Sequence, residues 1–410
     1  MARRSKTDRT TLGKRTGIPY NRDMIAYRFR IDPTPEQERI LSDTLETCRR
    51  LYNEARQQRI DSYRQSGISL SYTDQANALV GHKNDWQQRV HSQVIQATLK
   101  RLERAFERFF RPDRNGKKAG FPRFKKRGRF RSFTYPQSGF QLDGNAIRLS
   151  KIGAVPIRIH RKIEGRIKTC SVVKDADHWF VVLVTDPKGF PIGVEHPEAS
   201  VGIDMGLLKL ATFTEGESSP NPRYYRKAEK KLKRLQKALS RKQKGSTNRA
   251  KARIKVARQH RTVRNQRRDF AHKVSTKLVR TYGHIVFEKL NIKGMVKNRR
   301  LAKSIHDAAW YQVIALTQSK ASRAGSRVEW VDPKGTSQRC SGCGWVVKKD
   351  LSVRVHACPF CGLVMDRDEN AAMNILALGS RERLNALRGN VSPSDWKATP
   401  DEEGTHPLLR

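Results

Sequence analysis

The sequence predicts a mixed α/β protein of two or three domains that includes a small metal-binding module. Segments such as 24–32 and 131–187 alternate apolar and polar residues, as half-buried strands do. Residues 92–110 instead repeat apolar residues at helical spacing, which predicts an amphipathic helix. Four of the six cysteines form two close pairs near the C-terminus. A chain of 410 residues is long enough for each domain to have its own core.

The N-terminal half begins with 1–23, a basic and polar segment that we expect to be a flexible arm. After the strand at 24–32, Thr34-Pro35-Glu36 combines a cap residue, a proline and an early acid, and one or two helices should follow to about residue 65. The Gly and Asp turns within 131–187 predict a small barrel or an open sheet.

A loop at 111–130 mixes basic residues with Phe121, Phe124 and Phe130. Such a mixture suits the binding of a nucleic-acid backbone combined with base stacking. Equally, the phenylalanines could fasten a solvated loop to the body of the protein. The sequence leaves both interpretations open.

In the C-terminal half, SVGIDMGLLKLATFTEG predicts a strand, a tight turn and a strand, and GHIVFEKLNIKGM predicts a strand that ends at an acid. Residues 223–273 hold 21 Lys and Arg against two acids, which predicts two long basic helices with a turn near Gly245. Further helices are expected at about 305–324 and after the cysteines. The polar segment 381–410 is expected to be a loosely ordered tail.

The basic helices could be merely solvated, but a surface of one sign favours contact with phosphates. A thin apolar stripe of Leu232, Leu235 and Leu239 should face the protein body. The candidate phosphate contacts lie off this stripe and are Lys230, Lys233, Arg241 and Lys244.

The charge of the whole chain also points to nucleic acid. Lys and Arg number 84 against 39 Asp and Glu, a formal net charge of +45, and a polyanion would relieve the resulting repulsion. A ribosomal or purely electrostatic binder is the simpler alternative. No apolar run has the roughly 20 residues of a spanning helix, and the N-terminus lacks the apolar core of a signal peptide, so we expect a cytoplasmic, nucleoid-associated protein without a membrane partner.

The paired cysteines predict a structural zinc site. Cys340, Cys343, Cys358 and Cys361 form two CxxC pairs 14 residues apart, the spacing of a four-sulfur zinc ribbon. Gly342, Gly344 and Gly362 would let the two turns close tightly. An iron–sulfur cluster is the alternative. Four protein ligands leave no open position, so such a metal would stabilise the fold without taking part in chemistry.

Three acids stand at the ends of predicted elements. Asp204 ends one apolar strand, Glu288 ends another, and Asp368 stands where a helix begins after the cysteines. Buried carboxylates are costly unless they are paired or bind cations, and Mg²⁺ prefers carboxylate ligands. Each acid alone could be a surface residue or a helix cap.

Taken together, VGIDMGLLKLATF, FEKLNIKGM, CSGCGW, CPFCG and DRDENAAMNI resemble the core of the TnpB family. These are transposon-encoded, RNA-guided DNA endonucleases related to type V CRISPR effectors. The basic segments YRKAEKKLKRLQKALSRKQKGS and NRRLAKSIHDAAW and the motif GFPRFKKR extend the resemblance to about residues 24–380. It implies that Asp204, Glu288 and Asp368 bind catalytic Mg²⁺, for which we expect two ions. Asp366 would be exposed or lie behind these ligands.

The resemblance further implies an RNase H-like (RuvC) nuclease core at 191–338 and 363–380, interrupted by the zinc ribbon at 339–362. It implies a wedge barrel of the oligonucleotide-binding type from 24–32 and 129–190, with a helical recognition insertion at 33–128. The partners would be a guide RNA from the transposon end and double-stranded target DNA beside a short transposon-adjacent motif. Readers of that motif would lie near Tyr72, Gln96 and Thr134, and we expect one protein copy per ribonucleoprotein.

Two other functions compete with this interpretation. A zinc-ribbon regulator or accessory of transposition could bind DNA without cutting it, and its N-terminal helices could form a helix-turn-helix. A strand-joining transposase could use three carboxylates for a related reaction. The three acids count against the first alternative, and the reaction products would distinguish the second.

Overall fold

The structure is a computed structural model that describes residues 24–80, 84–113, 116, 118–186, 193–350 and 352–388, with the backbone alone for 381–388. The expected basic arm at 1–23 lies outside the described residues, as does 389–410 of the expected tail. The chain forms two compact units. Among the described residues, one comprises 24–173 and 180–186, and the other comprises 174–179 and 193–388.

The first unit combines a helical region with a seven-stranded sheet of order β2-β6-β7-β1-β5-β4-β3. Its elements are β1 (Ile25–Ile31), α1 (Pro35–Ser66), α2 (Tyr72–Ala78), α3 (Asp85–Gln88), α4 (Ser92–Phe110), β2 (Ser132–Tyr135), β3 (Phe140–Asp143), β4 (Ala146–Leu149), β5 (Gly153–Arg158), β6 (Arg166–Asp175) and β7 (His178–Asp186). The alternating pattern of β7 places Val181 and Leu183 in the core while their neighbours stay partly exposed.

The helix start predicted at Thr34 is confirmed. The Thr34 hydroxyl accepts a hydrogen bond from the Gln37 backbone N–H (3.3 Å), and the Gln37 side chain accepts one from the Thr34 N–H (3.1 Å), which is a capping box. A single helix of 32 residues follows, so 33–66 contains no second helix and no helix-turn-helix.

The basic loop before β2 is fastened to α1. The Asn53 side-chain amide makes two hydrogen bonds with the Lys125 backbone, at 2.8 and 3.1 Å. Arg56 donates to the Pro122 carbonyl oxygen (2.6 Å) and lies 4.0 Å over the Phe124 ring. Phe130 is 5 % exposed. Phe130 therefore helps to hold the loop in place, whereas Phe121 and Phe124 are 43 % and 51 % exposed, so both interpretations of the loop stay open.

The second unit contains a five-stranded sheet of order β10-β9-β8-β11-β12 and a two-stranded sheet of β13 and β14. Its elements are β8 (His196–Asp204), β9 (Lys209–Phe213), β10 (Ser218–Pro220), α5 (Tyr224–Ser240), α6 (Thr247–Thr281), β11 (Tyr282–Glu288), α7 (Ile292–Met295), α8 (Arg299–Ala308), α9 (Trp310–Ala324), β12 (Arg327–Val331), β13 (Val355–Ala357), β14 (Val364–Asp366) and α10 (Arg367–Arg388). β11 is parallel to both β8 and β12, whereas β9 is antiparallel to β8 and β10.

Two helices differ from the expectation. The helix expected at 305–324 is two helices, because Ala309 adopts a left-handed conformation (φ +57°) between them. This break buries the Trp310 indole, whose Nε1 donates to the Gly206 carbonyl oxygen (3.0 Å). Burial of the ring offsets the ~1–2 kcal/mol that a left-handed alanine costs. α10 continues to Arg388, eight residues into the segment expected to be a loose tail.

The core of the second unit lies between the five-stranded sheet and its helices. Val201, Ile203, Ile285 and Phe287 are fully buried in it. α10 crosses β8 so closely that a Cβ at Gly202 would lie 2.1 Å from the Ala372 carbonyl oxygen. Only glycine permits this approach. No helix in the described part of the chain is long and apolar enough to cross a membrane.

Candidate active site and metal centre

The three predicted acids meet at one edge of the five-stranded sheet. Ile203 on β8 pairs with Phe287 on the parallel strand β11, so Asp204 and Glu288 follow side by side at the carboxyl ends of both strands. Asp368 lies in the first turn of α10, the helix that packs across β8. The topology therefore brings together residues that are widely separated in sequence.

Burial and mutual repulsion act on these acids. Burial, followed by the charges of Glu288 and Asp368, raises the pKa of Asp204 to about 8, although Arg367 opposes the shift. Glu288 is 7 % exposed, and burial raises its pKa against the effect of a hydrogen bond from the Thr336 hydroxyl (2.5 Å). A cation would relieve the cost of holding these carboxylates ionised together.

Asp366 and Asp368 have different surroundings. Burial alone would raise the pKa of Asp366, but the ammonium group of Lys209, 3.0 Å away, and the backbone N–H of Asp368 keep it below its usual value. Within the described part of the chain, the Asp368 carboxylate forms a longer ion pair, 3.7 Å to Arg354. Because Asp366 is already paired, the geometry favours Asp368 as the acid that faces a cation with Asp204.

The donor set of the acids fits a hard divalent cation such as Mg²⁺, which takes carboxylate oxygens and retains water ligands. Within the described residues, the possible ligand atoms of the three acids do not all lie within 4.8 Å of one another, unlike those of the cysteine group.

The four paired cysteines form the compact group. Their sulfur atoms all lie within 4.8 Å, with Cys340–Cys361 and Cys343–Cys358 separations of 3.6 Å. This is far longer than the ~2.0 Å of a disulfide and close to the ~3.8 Å edge of a tetrahedron of sulfurs about 2.3 Å from zinc. The residues fit a four-sulfur zinc site.

Both cysteine turns use the same backbone hydrogen bonds. In the first, Gly344 N–H donates to the Cys340 carbonyl (2.9 Å); in the second, Gly362 N–H donates to the Cys358 carbonyl (3.0 Å). The two glycines have φ angles of +80° and +74°, which a residue with a side chain rarely adopts. The prediction that glycines close these turns is confirmed for Gly344 and Gly362 but not for Gly342, whose φ angle is not positive.

We expect Asp204 to make the metal-free protein less stable as pH rises. Its pKa is 3.8 ordinarily and about 8 in the fold, so between these values the folded state binds a proton that the unfolded state lacks. The free energy of unfolding therefore falls as pH rises from about 4 to about 8. Without Mg²⁺ or Mn²⁺, the Asp204→Asn variant should melt above wild type at pH 7.5, and the difference should shrink at pH 5.

Asp366→Asn is the matched control for this measurement. The pKa of Asp366 is lowered in the fold, so its charge stabilises the protein at neutral pH and this contribution is lost on acidification. Asp366→Asn should thus melt below wild type at pH 7.5. If both variants changed the melting temperature in the same direction, this account of the two acids would be wrong.

Comparisons with known proteins match most of the chain. Family models described as "Probable transposase", "Cas12f1-like, TNB domain" and "Helix-turn-helix domain" match residues 180–299, 310–375 and 24–67. "Putative RNA-guided DNA endonuclease InsQ" of Escherichia coli K12 is 35 % identical over 378 residues, which cover 86 % of this chain and 92 % of the relative. The chain belongs to the TnpB family. A TnpB-family relative of the same description from Streptomyces pristinaespiralis is 37 % identical, covering 86 % of this chain and 89 % of the relative.

A solved structure supports the fold of this TnpB-family chain. The "Cas12f1-sgRNA-target DNA complex" matches with a TM-score of 0.54 at 15 % identity, over 83 % of each chain. The segment matched by the helix-turn-helix model is strand β1 followed by the single helix α1. This argues against the helix-turn-helix of the regulator alternative.

The basic helices of this TnpB-family chain are α5 and α6, which turn at Gly245 as predicted. Leu232 is 2 % exposed, while Leu235 and Leu239 are half-buried, so the stripe faces inward. The four candidate phosphate contacts, Lys230, Lys233, Arg241 and Lys244, are exposed. Lys233 forms an ion pair with Glu229 (3.3 Å) within its helix.

Sequence reasoning missed the residue that holds this helix pair. Asp307 is 4 % exposed and accepts hydrogen bonds from the Tyr225 and Arg226 backbone N–H groups at the start of α5, at 2.8 and 3.0 Å. Arg267 of α6 donates to the same carboxylate (2.9 Å). An acid within the basic segment NRRLAKSIHDAAW was the available signal, because such an acid is well placed to pair with cations.

The three predicted motif readers lie in the first unit. Tyr72 begins α2, and Lys100 of α4 lies 5.2 Å over its ring, one turn beyond the exposed Gln96. Thr134 on β2 shares a 2.8 Å hydrogen bond with Ser171 on β6. Tyr72 and Thr134 thus have partners within the protein, whereas Gln96 borders a cavity of about 320 Å³ between α2 and α4. Their role in reading DNA stays a prediction.

Proposed function

We propose that this protein is an RNA-guided DNA endonuclease that hydrolyses phosphodiester bonds at Asp204, Glu288 and Asp368. The observation that carries the proposal is the meeting of three carboxylates from β8, β11 and α10 at one sheet edge, two of them with raised pKa values. The names of the relatives support guidance by RNA.

Each acid would have a defined part in the reaction. Mg²⁺ held by the three carboxylates would activate the attacking water and stabilise the leaving oxygen of an in-line displacement. Asp204, whose pKa responds to the charges of the other two acids, would be a ligand of the two ions expected there. Lys209 keeps Asp366 paired and away from the metal, and the Thr336 hydroxyl holds one Glu288 oxygen, so that the other is left for a cation. The cysteine site would hold one zinc ion with a structural role only.

We further propose an RNase H-like class for the second unit and an oligonucleotide-binding class for the first. When its five strands are numbered along the chain, the sheet of the second unit has the order 3-2-1-4-5. Strands 1, 2 and 3 form antiparallel pairs, whereas strands 4 and 5 run parallel to strand 1. This arrangement and its acids support a nuclease core interrupted by the ribbon. In the first unit, the helices at 33–128 would be an insertion into the sheet.

The partners would be a guide RNA from the transposon end and double-stranded DNA. The net charge of +45 suits a protein that holds both, and we expect one protein copy per complex. Base pairing would select the target, while the protein would read a short adjacent motif and the shape of the heteroduplex.

The decisive experiment uses the protein purified with RNA from its own locus and a plasmid library of randomised adjacent motifs. We expect Mg²⁺-dependent breaks with 5′-phosphate ends beside one motif and at a site paired with the RNA. Joined DNA ends would instead indicate a strand-joining transposase. Binding without any break would indicate a regulator of transposition and would contradict the proposal.

We expect the basic helices to supply affinity without choosing the target. In the variant Lys233→Ala/Arg241→Ala, each lost phosphate contact should reduce the slope of log affinity against log salt by roughly one unit. Target preference should be unchanged, because phosphate contacts carry no direct sequence information. The measurement is binding at several salt concentrations to matched and mismatched motifs.

Gln96→Ala is the contrasting variant for that measurement. It should alter motif preference while leaving the salt slope near that of wild type. An unchanged slope in the double variant would mean that α5 presents only a solvated face.

A further inference from the structure

The cysteine ribbon and the acid cluster are joined by a chain of buried hydrogen bonds. The ribbon lies between β12 and α10 in sequence, and α10 starts directly after it. Its first cysteine turn contacts α10 again through two asparagines, Asn370 and Asn374. These residues are 0 % and 6 % exposed, so their amides depend on protein partners.

The two asparagines hold the backbone on both sides of Cys340. Asn370 accepts a hydrogen bond from the Ser341 N–H (2.9 Å) and donates to the Arg339 carbonyl (2.8 Å). Asn374 donates to the carbonyls of Arg339 (2.7 Å) and Thr336 (2.9 Å). The start of α10 is thereby fixed to the segment that carries Cys340.

Thr336 continues the chain to the acids. It is 4 % exposed, and its hydroxyl oxygen lies 2.5 Å from Glu288 Oε1 and 3.2 Å from the Pro333 carbonyl. A hydroxyl has a single hydrogen, and an ionised carboxylate is the stronger acceptor, so Thr336 donates to Glu288. Its own backbone carbonyl is the one that Asn374 holds.

The helical geometry places the acid and the ribbon on opposite sides of α10. At ~100° per residue, Asp368 is turned by about 200° from Asn370, whereas Asn370 and Asn374 share one face. One face of the first turn therefore meets the ribbon while the other presents Asp368 to Asp204, whose pKa responds to its charge.

From this chain we propose that Thr336, Asn370 and Asn374 are positioning residues, through which the zinc-loaded ribbon sets Glu288 and Asp368 for the catalytic metal. The inference rests on the proposed function. Groups that hydrogen-bond a metal-binding side chain commonly change metal affinity by about 10–100-fold when they are removed. A purely structural role would instead lower stability and leave metal affinity unchanged.

Thr336→Val tests the proposal, because it keeps the side-chain shape and removes the hydrogen bond. Mn²⁺ binding is measured by electron paramagnetic resonance on the zinc-loaded full chain, with zinc content and melting temperature recorded on the same samples. We expect about tenfold weaker Mn²⁺ binding for Thr336→Val, near-wild-type binding for Thr336→Ser, and full zinc content in both. Asn374→Ala should weaken Mn²⁺ binding while retaining zinc.

Asp204→Asn separates this proposal from the proposed function. If wild type and Asp204→Asn bound Mn²⁺ alike, the acids would hold no metal, and both proposals would fall. If Asp204→Asn lost Mn²⁺ binding but Thr336→Val bound Mn²⁺ as wild type does, only the positioning role proposed for Thr336, Asn370 and Asn374 would be wrong. Loss of zinc from Thr336→Val would also overturn it, since the effect would then arise from an unloaded ribbon. If Asn374→Ala failed to fold, the comparison of Thr336→Val with Thr336→Ser would still test the proposal.

Discussion

Asp204→Asn should reduce DNA cleavage by on the order of a thousandfold. The substitution preserves shape and removes a charge that interacts with those of Glu288 and Asp368. Metal contacts to the reacting oxygens stabilise the transition state by several kcal/mol, and each ~1.4 kcal/mol is a factor of ten in rate. Guide RNA binding should be unchanged. Single-turnover cleavage and RNA gel shifts on the same preparation measure the two effects.

The neighbouring aspartates give this prediction its control. Asp368→Asn should lose cleavage as Asp204→Asn does, whereas Asp366→Asn should keep most activity, because Asp366 is paired with Lys209. Wild-type cleavage by Asp368→Asn would show that the wrong aspartate was chosen. Loss of RNA binding in Asp204→Asn would show that the effect reaches beyond the chemistry.

Cys358→Ser should release zinc and lower the melting temperature by on the order of 10 °C. Structural zinc contributes ~10–16 kcal/mol in small zinc-binding peptides. At ~2–4 °C per kcal/mol, a loss of only about 4 kcal/mol in the free energy of unfolding would account for this fall in melting temperature. Metal analysis should find about one zinc per wild-type chain, and cleavage should fall with the zinc content.

Cys48→Ala provides the comparison, since Cys48 is a buried thiol outside the cluster. Burial raises the pKa of Cys48 to about 11, so it remains a neutral thiol and a poor metal ligand. This variant should retain its zinc. A Cys358→Ser protein as stable as wild type after losing its metal would refute a structural role for zinc.

Much of the second unit was predictable because local patterns determine its elements. The strands that end at Asp204 and Glu288, the turn at Gly245 and the cysteine turns follow from apolar runs, glycines and CxxC spacing. The resemblance pointed to Asp368, whose place at the start of α10 the structure bears out. Its catalytic role, like those of Asp204 and Glu288, is a prediction for the cleavage assays.

The residues that support the site were not predictable, because their roles depend on tertiary contacts. Asp307 caps a helix more than 80 positions away along the chain, and Thr336 acts on Glu288 across 48 residues. The break at Ala309 follows from the burial of Trp310 against the Gly206 carbonyl, not from local propensity, since alanine favours helix continuation. The contact by which Asn53 holds the basic loop is also a tertiary contact, so it could not be predicted from the sequence.

The close crossing of α10 over Gly202 has a consequence for synthesis of the protein on the ribosome. β8, β11 and the ribbon all leave the ribosome before α10, at ~5–20 residues per second. Until Ala372 docks on β8, Asp368 is not held beside the other two acids, and the sheet lacks the helix that covers Gly202. The proposed nuclease would therefore be inactive during translation and would become complete only when its last described helix is released.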